Sequence, residues 1–371
     1  MPALSVLDQT PVPDGSTPAD AVAETLALAQ AAERLGYRRY WLAEHHNTPS
    51  LAGTAPEILV AAVAAATSTI RVGSGGVLLP YYSPLKVAEV FRMLHTLFPG
   101  RIDLGVGRAA GADPAAEAAL LAGGGASGDR YFANHLADLV TFVASGSGFG
   151  FGSGRVPGGQ GDPEPDQNRL GRGADHPSAD HPYAGVRAMP GGPGAPTVWL
   201  LGSSGQSGAA AAAFGLPFAF AHFIAAGFGP EIVAGYRRRF RPGQLVGQPG
   251  GPEVLVAVTV VCADTDAEAD RLASATDLWR RGPEGAERPP ILPPAEVDAG
   301  ARTGRVAGRA GQRRERMVVG APDRVRDALV ALAGQYGVEE LMVVTVCHDP
   351  RARVRSYELL AEAFDLQAAP A

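Results

Sequence analysis

Two clusters of polar residues stand out from an otherwise apolar, alanine-rich sequence. The first is Glu44-His45-His46-Asn47, which follows the run Arg39-Tyr40-Trp41-Leu42-Ala43. The chain has eight histidines, so two of them beside a carboxylate form an uncommon concentration of groups able to move a proton near neutral pH. Adjacent residues of an extended segment point to opposite sides, and no His-x-x-x-His or His-x-Glu partner lies nearby, so a metal site is disfavoured. Two readings stay open: one of these residues handles a proton or stabilises an oxyanion, or the group makes structural hydrogen bonds alone.

The second cluster is Gly202-Ser203-Ser204-Gly205-Gln206-Ser207, between an apolar run and an alanine-rich segment. At a strand-to-helix turn, free backbone N–H groups and the positive helix end face a bound anion. The hydroxyls of Ser203, Ser204 and Ser207 add donors, and Gly202 and Gly205 permit close backbone approach. An ordinary serine cap beside a glycine-rich turn is the competing explanation, and it accounts for one of the hydroxyls. Arg108 follows the apolar run Ile102 to Val106, and its fork geometry suits a phosphate. Arg130 offers a second positive charge, or is a solvated arginine at a helix end. The stretch Gly73-Ser74-Gly75-Gly76 permits either a turn or flat approach by a ring system.

These residues need a scaffold, and the sequence rhythm supplies one. Leu4 to Leu7, Arg39 to Leu42, Ile70 to Val72, Ile102 to Val106, Thr197 to Leu201, Phe218 to Ala221, Val254 to Val261 and Leu341 to Val346 read as strands. Amphipathic segments follow them, opening at Thr17-Pro18, Pro56, Pro84, Ser204, Pro230, Asp264, Pro322 and Pro350, with another around Leu136 to Val143. Eight alternating units predict a (β/α)8 TIM barrel of the α/β class, in which chemistry sits where strands end. An open doubly wound sheet would place G-x-G-x-x-G at the first turn, which instead reads Asp8-Gln9-Thr10-Pro11. Residues 1–371 are read as one domain with long loop insertions at about 145–196 and 280–316, dense in Gly, Pro, Asp and Arg and unable to pack a core. Such loops are active-site lids or disordered segments.

Composition narrows the function classes. A net charge of −6 argues against a general nucleic-acid binder. The 46% of apolar residues suffices for a large core. Cys262 and Cys347 lie in apolar runs and read as buried reduced thiols, with no metal-ligand spacing. With no basic leader and no membrane-length apolar run, a soluble cytoplasmic protein is expected.

Taken together, Ala32 to Tyr37 with Trp41 to Asn47, Arg71 to Pro80, Pro99 to Arg108 and Trp199 to Ser204 resemble the bacterial-luciferase-like flavin-dependent monooxygenase family over nearly the whole chain. The resemblance implies the same barrel and a site that holds flavin mononucleotide (FMN). It implies that His45 lies beside the reactive flavin face with Glu44 next to it, and that Gly75-Gly76 forms a non-proline cis peptide beneath the ring. Arg108, Arg130 and the turn of Gly202, Ser203, Ser204 and Ser207 would hold the flavin phosphate. Ser203 stands where luciferase has a glutamate, and Gly107 where it has a cysteine, so the resemblance does not extend to aldehyde oxidation with light emission.

The implied chemistry is two-component. A separate NAD(P)H:flavin reductase supplies reduced FMN, and O2 is the co-substrate, reacting through a C4a-peroxyflavin to hydroxylate or epoxidise a small organic substrate. The composition is compatible with tailoring of a secondary metabolite, as in antibiotic biosynthesis, and the family resemblance implies a homodimer. Two rivals share the scaffold: a deazaflavin (F420)-dependent hydride-transfer enzyme and a flavin-binding relative without turnover.

Overall fold

The computed structural model describes residues 1–108, 113–122, 132–145, 183, 185–242, 248–282, 285–302 and 316–368. Its strands are β1 (Ala3–Asp8), β2 (Arg39–Leu42), β3 (Arg71–Leu78), β4 (Ile102–Gly107), β5 (Thr197–Gly202), β6 (Phe218–Ala221), β7 (Val254–Cys262), β8 (Met317–Gly320) and β9 (Glu340–Val344). The helices are α1 (Pro18–Arg34), α2 (Pro56–Ala66), α3 (Pro84–Leu97), α4 (Pro114–Leu121), α5 (Phe132–Ser145), α6 (Gly205–Phe214), α7 (Gly229–Arg239), α8 (Asp266–Arg281), α9 (Pro294–Arg302), α10 (Pro322–Tyr336) and α11 (Pro350–Phe364).

All strand pairings are parallel, in the order β6-β5-β4-β3-β2-β1-β9-β7, and β6 pairs with β7 to close the ring. This is the (β/α)8 barrel that the sequence rhythm predicts. Local chemistry sets the helix ends. Thr17 and Asp20 form a reciprocal capping box ahead of α1, and Pro18 occupies its first turn. Gly36 ends the same helix at φ +87°, where a Cβ would stand 2.6 Å from the Gln367 backbone.

Three elements depart from the sequence expectation. β8 is four residues long and pairs with Thr259–Cys262 of β7, beyond the Val254–Ala257 stretch that β6 uses. So short an apolar run cannot be told from a loop by pattern. Helix α4 buries none of its residues and therefore carries no apolar stripe to read. Helix α9 falls inside the 280–316 insertion, which also contributes Ile291, fully buried among Trp41, Trp199 and Trp279. That insertion does pack against the core, contrary to what its composition predicts; residues 146–182 of the other one lie outside the described residues.

Strand alternation divides the apolar residues between two layers. Leu4, Val6, Tyr40 and Leu42 face the surrounding helices. Leu7, Trp41, Trp199, Leu255 and Met342 fill the barrel interior. Beneath them, at the N-terminal ends of the strands, lies a buried charged layer. Arg39 donates to Glu340 at 2.6 Å and to Asp103 at 3.0 Å, and its guanidinium lies 4.8 Å from the Trp199 ring centroid. Asp103 also accepts from Trp41 at 3.0 Å and from Arg71, while Ser5 donates to Glu340 at 2.6 Å. Burial alone would raise the Asp103 pKa, but Arg39 and Arg71 hold the carboxyl below its ordinary value.

Removing Arg39 leaves Asp103 and Glu340 desolvated with too few donors. Arg39→Met should lower unfolding stability by ~3–5 kcal/mol, the usual cost of breaking a buried ion pair, as read from urea denaturation. A loss within experimental error of zero would show that the layer contributes nothing net.

Candidate active site

The C-terminal ends of the strands enclose a cavity of about 380 Å³. Leu7, Trp41, Leu255 and Met342 contribute its apolar lining. Nine of the ten site residues read from the sequence meet at this cavity: Glu44, His45, Gly75, Gly76, Arg108, Gly202, Ser203, Ser204 and Ser207. The tenth, Arg130, lies outside the described residues. Strand order arranges the nine along one arc of the rim, running from the end of β2 through β3 and β4 to the turn after β5.

At the end of β2, Glu44 is a junction. Its Oε2 accepts from the Leu78 N–H at 2.9 Å, and its Oε1 accepts from the Tyr82 hydroxyl at 2.6 Å and meets His46 Nε2 at 2.7 Å. His46 therefore turns to Glu44, while His45, one residue earlier, lines the cavity. Among the described residues no group of His, Cys, Asp and Glu is placed to hold a metal ion.

His45 is held by its backbone N–H, which donates to Gly53 at 2.8 Å. Its Nδ1 is buried and has no hydrogen-bond partner among the described residues. Burial, followed by the charges of Arg288 and His46, lowers its pKa to about 4. The imidazole is thus neutral at physiological pH and presents a donor or an acceptor without a net charge.

In β3 the Gly75–Gly76 peptide is cis, and the register with β4 shifts between Gly75 and Val77. A Cβ at Gly75 would stand 2.5 Å from Leu7 Cδ1, and one at Gly76 would stand 2.8 Å from the Gly105 carbonyl. Neither position can carry a side chain without displacing the lining.

After β5, Ser204 caps α6. It and Ser207 exchange backbone and side-chain hydrogen bonds as a capping box, so the capping explanation accounts for two of the three hydroxyls. Ser203 takes no part in the capping box and lines the cavity. The first-turn N–H groups of Gly205 and Gln206 have no intrahelical acceptor by geometry, and they remain the anion-facing donors of this turn. Arg108 Nη1 donates to Gln206 Oε1 at 3.1 Å, which places the guanidinium at the same helix end.

The pattern of strand ends did not single out three further lining residues. Gln9 follows β1, and its Oε1 is buried without a partner among the described residues. Phe223 and Ile224 follow β6 and supply apolar wall. The second insertion is tied to the loops after β1 and β4: Asp14 N–H donates to the Ile291 carbonyl at 3.0 Å, and Asp113 accepts from Asn47 at 2.7 Å and from the Ala286 N–H at 3.3 Å.

A half-buried neutral imidazole, a side-chain-free peptide and a helix N-terminus beside Arg108 lie along one arc of a barrel mouth, the place of a ligand site in the (β/α)8 class. The comparisons place that class more closely. The luciferase-like monooxygenase family matches residues 3–126 and 168–340, and the chain belongs to that family. It is 41% identical to the uncharacterized protein YwcH of Bacillus subtilis (strain 168), over 98% of this chain and 99% of that one. It is 33% identical to the N-acetyl-S-alkylcysteine monooxygenase of the same organism, over 97% of each. The crystal structure of apo-MsnO8 superposes with a TM-score of 0.80 at 41% identity, covering 99% of both chains.

The lowered His45 pKa has a signed consequence. Between its ordinary value of 6.5 and about 4, the unfolded chain binds the proton that the folded chain refuses, so stability falls as pH falls through this window. His45→Gln should lose less stability than the parent protein between pH 6.5 and 4, as measured by denaturation at stepped pH. An equal loss would mean that His45 is not held neutral. Replacing Glu44 by Leu should cost roughly 1–3 kcal/mol through the orphaned Leu78 N–H alone, by the same measurement.

Proposed function

We propose that the chain is a flavin-dependent monooxygenase. It binds reduced FMN in the barrel mouth, receives it from a separate NAD(P)H:flavin reductase, and inserts one oxygen atom of O2 into a small organic substrate. The observation that carries this reading is the sequence of groups along the rim: the His45 imidazole, whose Nδ1 has no partner among the described residues, the bare Gly75–Gly76 peptide, then Arg108 and the serine turn. Each meets a different part of a flavin mononucleotide. The residues fit the group on two counts: Nδ1 of His45 and Oε1 of Gln9 await polar partners, and Cβ atoms at Gly75 and Gly76 would clash with the lining.

Reduced flavin supplies the two electrons that let one atom of O2 enter the substrate while the other leaves as water. The chain's own residues bind, orient and shield. Arg108, Ser203 and the N–H groups of Gly205 and Gln206 hold the phosphate. The neutral His45 ring offers Nδ1 for a hydrogen bond and passes or withholds a proton there. Glu44 has its oxygens engaged by Leu78, Tyr82 and His46, so we assign it as a positioning residue rather than a base. Leu7, Trp41 and Met342 would keep water from the ring face.

Binding titrations with FMN, riboflavin and F420 test the cofactor. FMN should bind roughly 10- to 100-fold more tightly than riboflavin, the equivalent of one or two charge-assisted hydrogen bonds, and Arg108→Ala should remove most of that difference. With a flavin reductase and NADH present, the protein should incorporate label from 18O2 into the product of an accepted substrate. Equal binding of riboflavin and FMN would sink the phosphate assignment. Preference for F420 without oxygen incorporation would identify a hydride-transfer enzyme instead.

A further inference from the structure

The barrel mouth carries a second concentration of positive charge, away from the serine turn. Arg280, in the last turn of α8, donates to Thr259 Oγ1 at 2.8 Å and to the Phe223 carbonyl at 2.5 Å. Its guanidinium lies 5.4 Å from the centroid of the Phe223 ring. Both acceptors are neutral, and among the described residues no carboxylate is within ion-pair distance of Arg280. Asp277, one turn earlier, pairs with Arg281 at 2.5 Å.

Strand alternation fixes where this group stands. Leu255 and Ala257 of β7 line the cavity, so Thr259 continues the same face one step toward the mouth. Phe223 and Ile224, from the loop after β6, line the cavity too, and Ile224 is 49% exposed. Arg280 thus sits at the rim where an apolar wall meets the opening.

Two more arginines converge there. Arg316 directly precedes Met317, the register partner of Thr259. Arg288, in the second insertion, lies 4.8 Å from the centroid of the Trp279 ring. Burial first, then the charges of Arg288 and Arg316, pull the Arg280 pKa down to about 10 against the opposing charge of Asp277, so it stays charged at neutral pH. A part-buried cation with like charges nearby, whose hydrogen-bond acceptors among the described residues are neutral, is favoured by an anion that joins it.

We propose that the Arg280 rim, with Arg288 and Arg316 beside it, is the subsite for the carboxylate of an organic-acid substrate whose apolar body lies along Phe223 and Ile224. This deepens the monooxygenase reading and rests on it. It narrows the substrate from any small organic molecule to an amphiphilic acid. The acid would enter with its charge at β7 and its apolar end toward His45 and the flavin.

Calorimetry on the full-length protein loaded with FMN tests the subsite, using 4-phenylbutanoate, its methyl ester and its amide as probes. The acid should bind at least about tenfold more tightly than either neutral analogue, an energy within reach of one charge-assisted hydrogen bond. Arg280→Gln should abolish that preference while leaving FMN affinity unchanged, and Arg280→Lys should restore part of it. A merely structural Arg280, stapling the Phe223 loop to β7, would weaken acid and neutral probes alike and leave their ratio intact, which overturns the proposal. Equal binding of acid and ester to the parent protein also overturns it. Failure of FMN to bind at all would instead fall on the cofactor reading.

Discussion

The site depends on one buried carboxylate. Glu44 gathers the Leu78 N–H, the Tyr82 hydroxyl and His46 at distances from 2.6 to 2.9 Å. In a low-dielectric interior a carboxylate with fewer donors would be expensive to keep, so these partners and Glu44 require one another. The consequence is geometric. The end of β2, which carries His45, is tied to the end of β3, which carries the cis Gly75–Gly76 peptide. The imidazole and the flat peptide are thereby fixed relative to each other by a third residue that need not take part in the reaction. That is the pre-organisation a bound ring system requires.

The two ends of the barrel treat polarity differently. At the N-terminal end, Arg39, Asp103, Glu340, Arg71 and Ser5 bond to one another in a layer under Trp41 and Trp199, with Arg71 reaching solvent at its edge. At the C-terminal end, buried polar atoms of Gln9, Thr10 and His45 lack partners among the described residues. Unsatisfied buried groups cost stability, and they are tolerated where a ligand completes them. The C-terminal end thus combines satisfied carboxylates, Glu44 and Asp8, with polar atoms left open to a ligand, at the end where (β/α)8 folds carry their sites.

Much of this was legible from periodicity, because a buried parallel strand is an apolar run and each covering helix shows a proline or a hydroxyl at its start. The strand ends then pointed to His45, Arg108 and the serine turn. Periodicity failed where no face was buried or the run was too short: α4 buries nothing, and β8 spans Met317–Gly320. It also failed for groups whose role comes from distant neighbours. Nothing in the sequence near Glu44 announces Leu78 and Tyr82 as its donors, and a catalytic role was as readable there as a structural one. Gln9 gives no signal of its own in the sequence, because a lone glutamine at a strand end is an ordinary loop residue until the fold buries its Oε1. Arg280 lay at the edge of a segment read as loop, and its position above Thr259 needs the closed ring of β6 and β7 to be seen.

The arginine rim and His45 are not independent. Arg288 belongs to the rim, and its charge is one of the influences that hold the imidazole neutral, second to burial. An anion seated at the rim would cancel part of that field, so the His45 pKa must rise when an acid binds. By linkage the acid must then bind more tightly as pH falls toward that pKa. Burial, the larger influence, is untouched by the anion, which keeps the shift modest and the ring mainly neutral at physiological pH. A neutral ligand of the same shape leaves the field in place and produces no such coupling. If the proposed acid binds at the rim, its charge would set, through Arg288, how readily His45 can take up a proton, and the arginine cluster would then act on the proposed chemistry as well as on recognition.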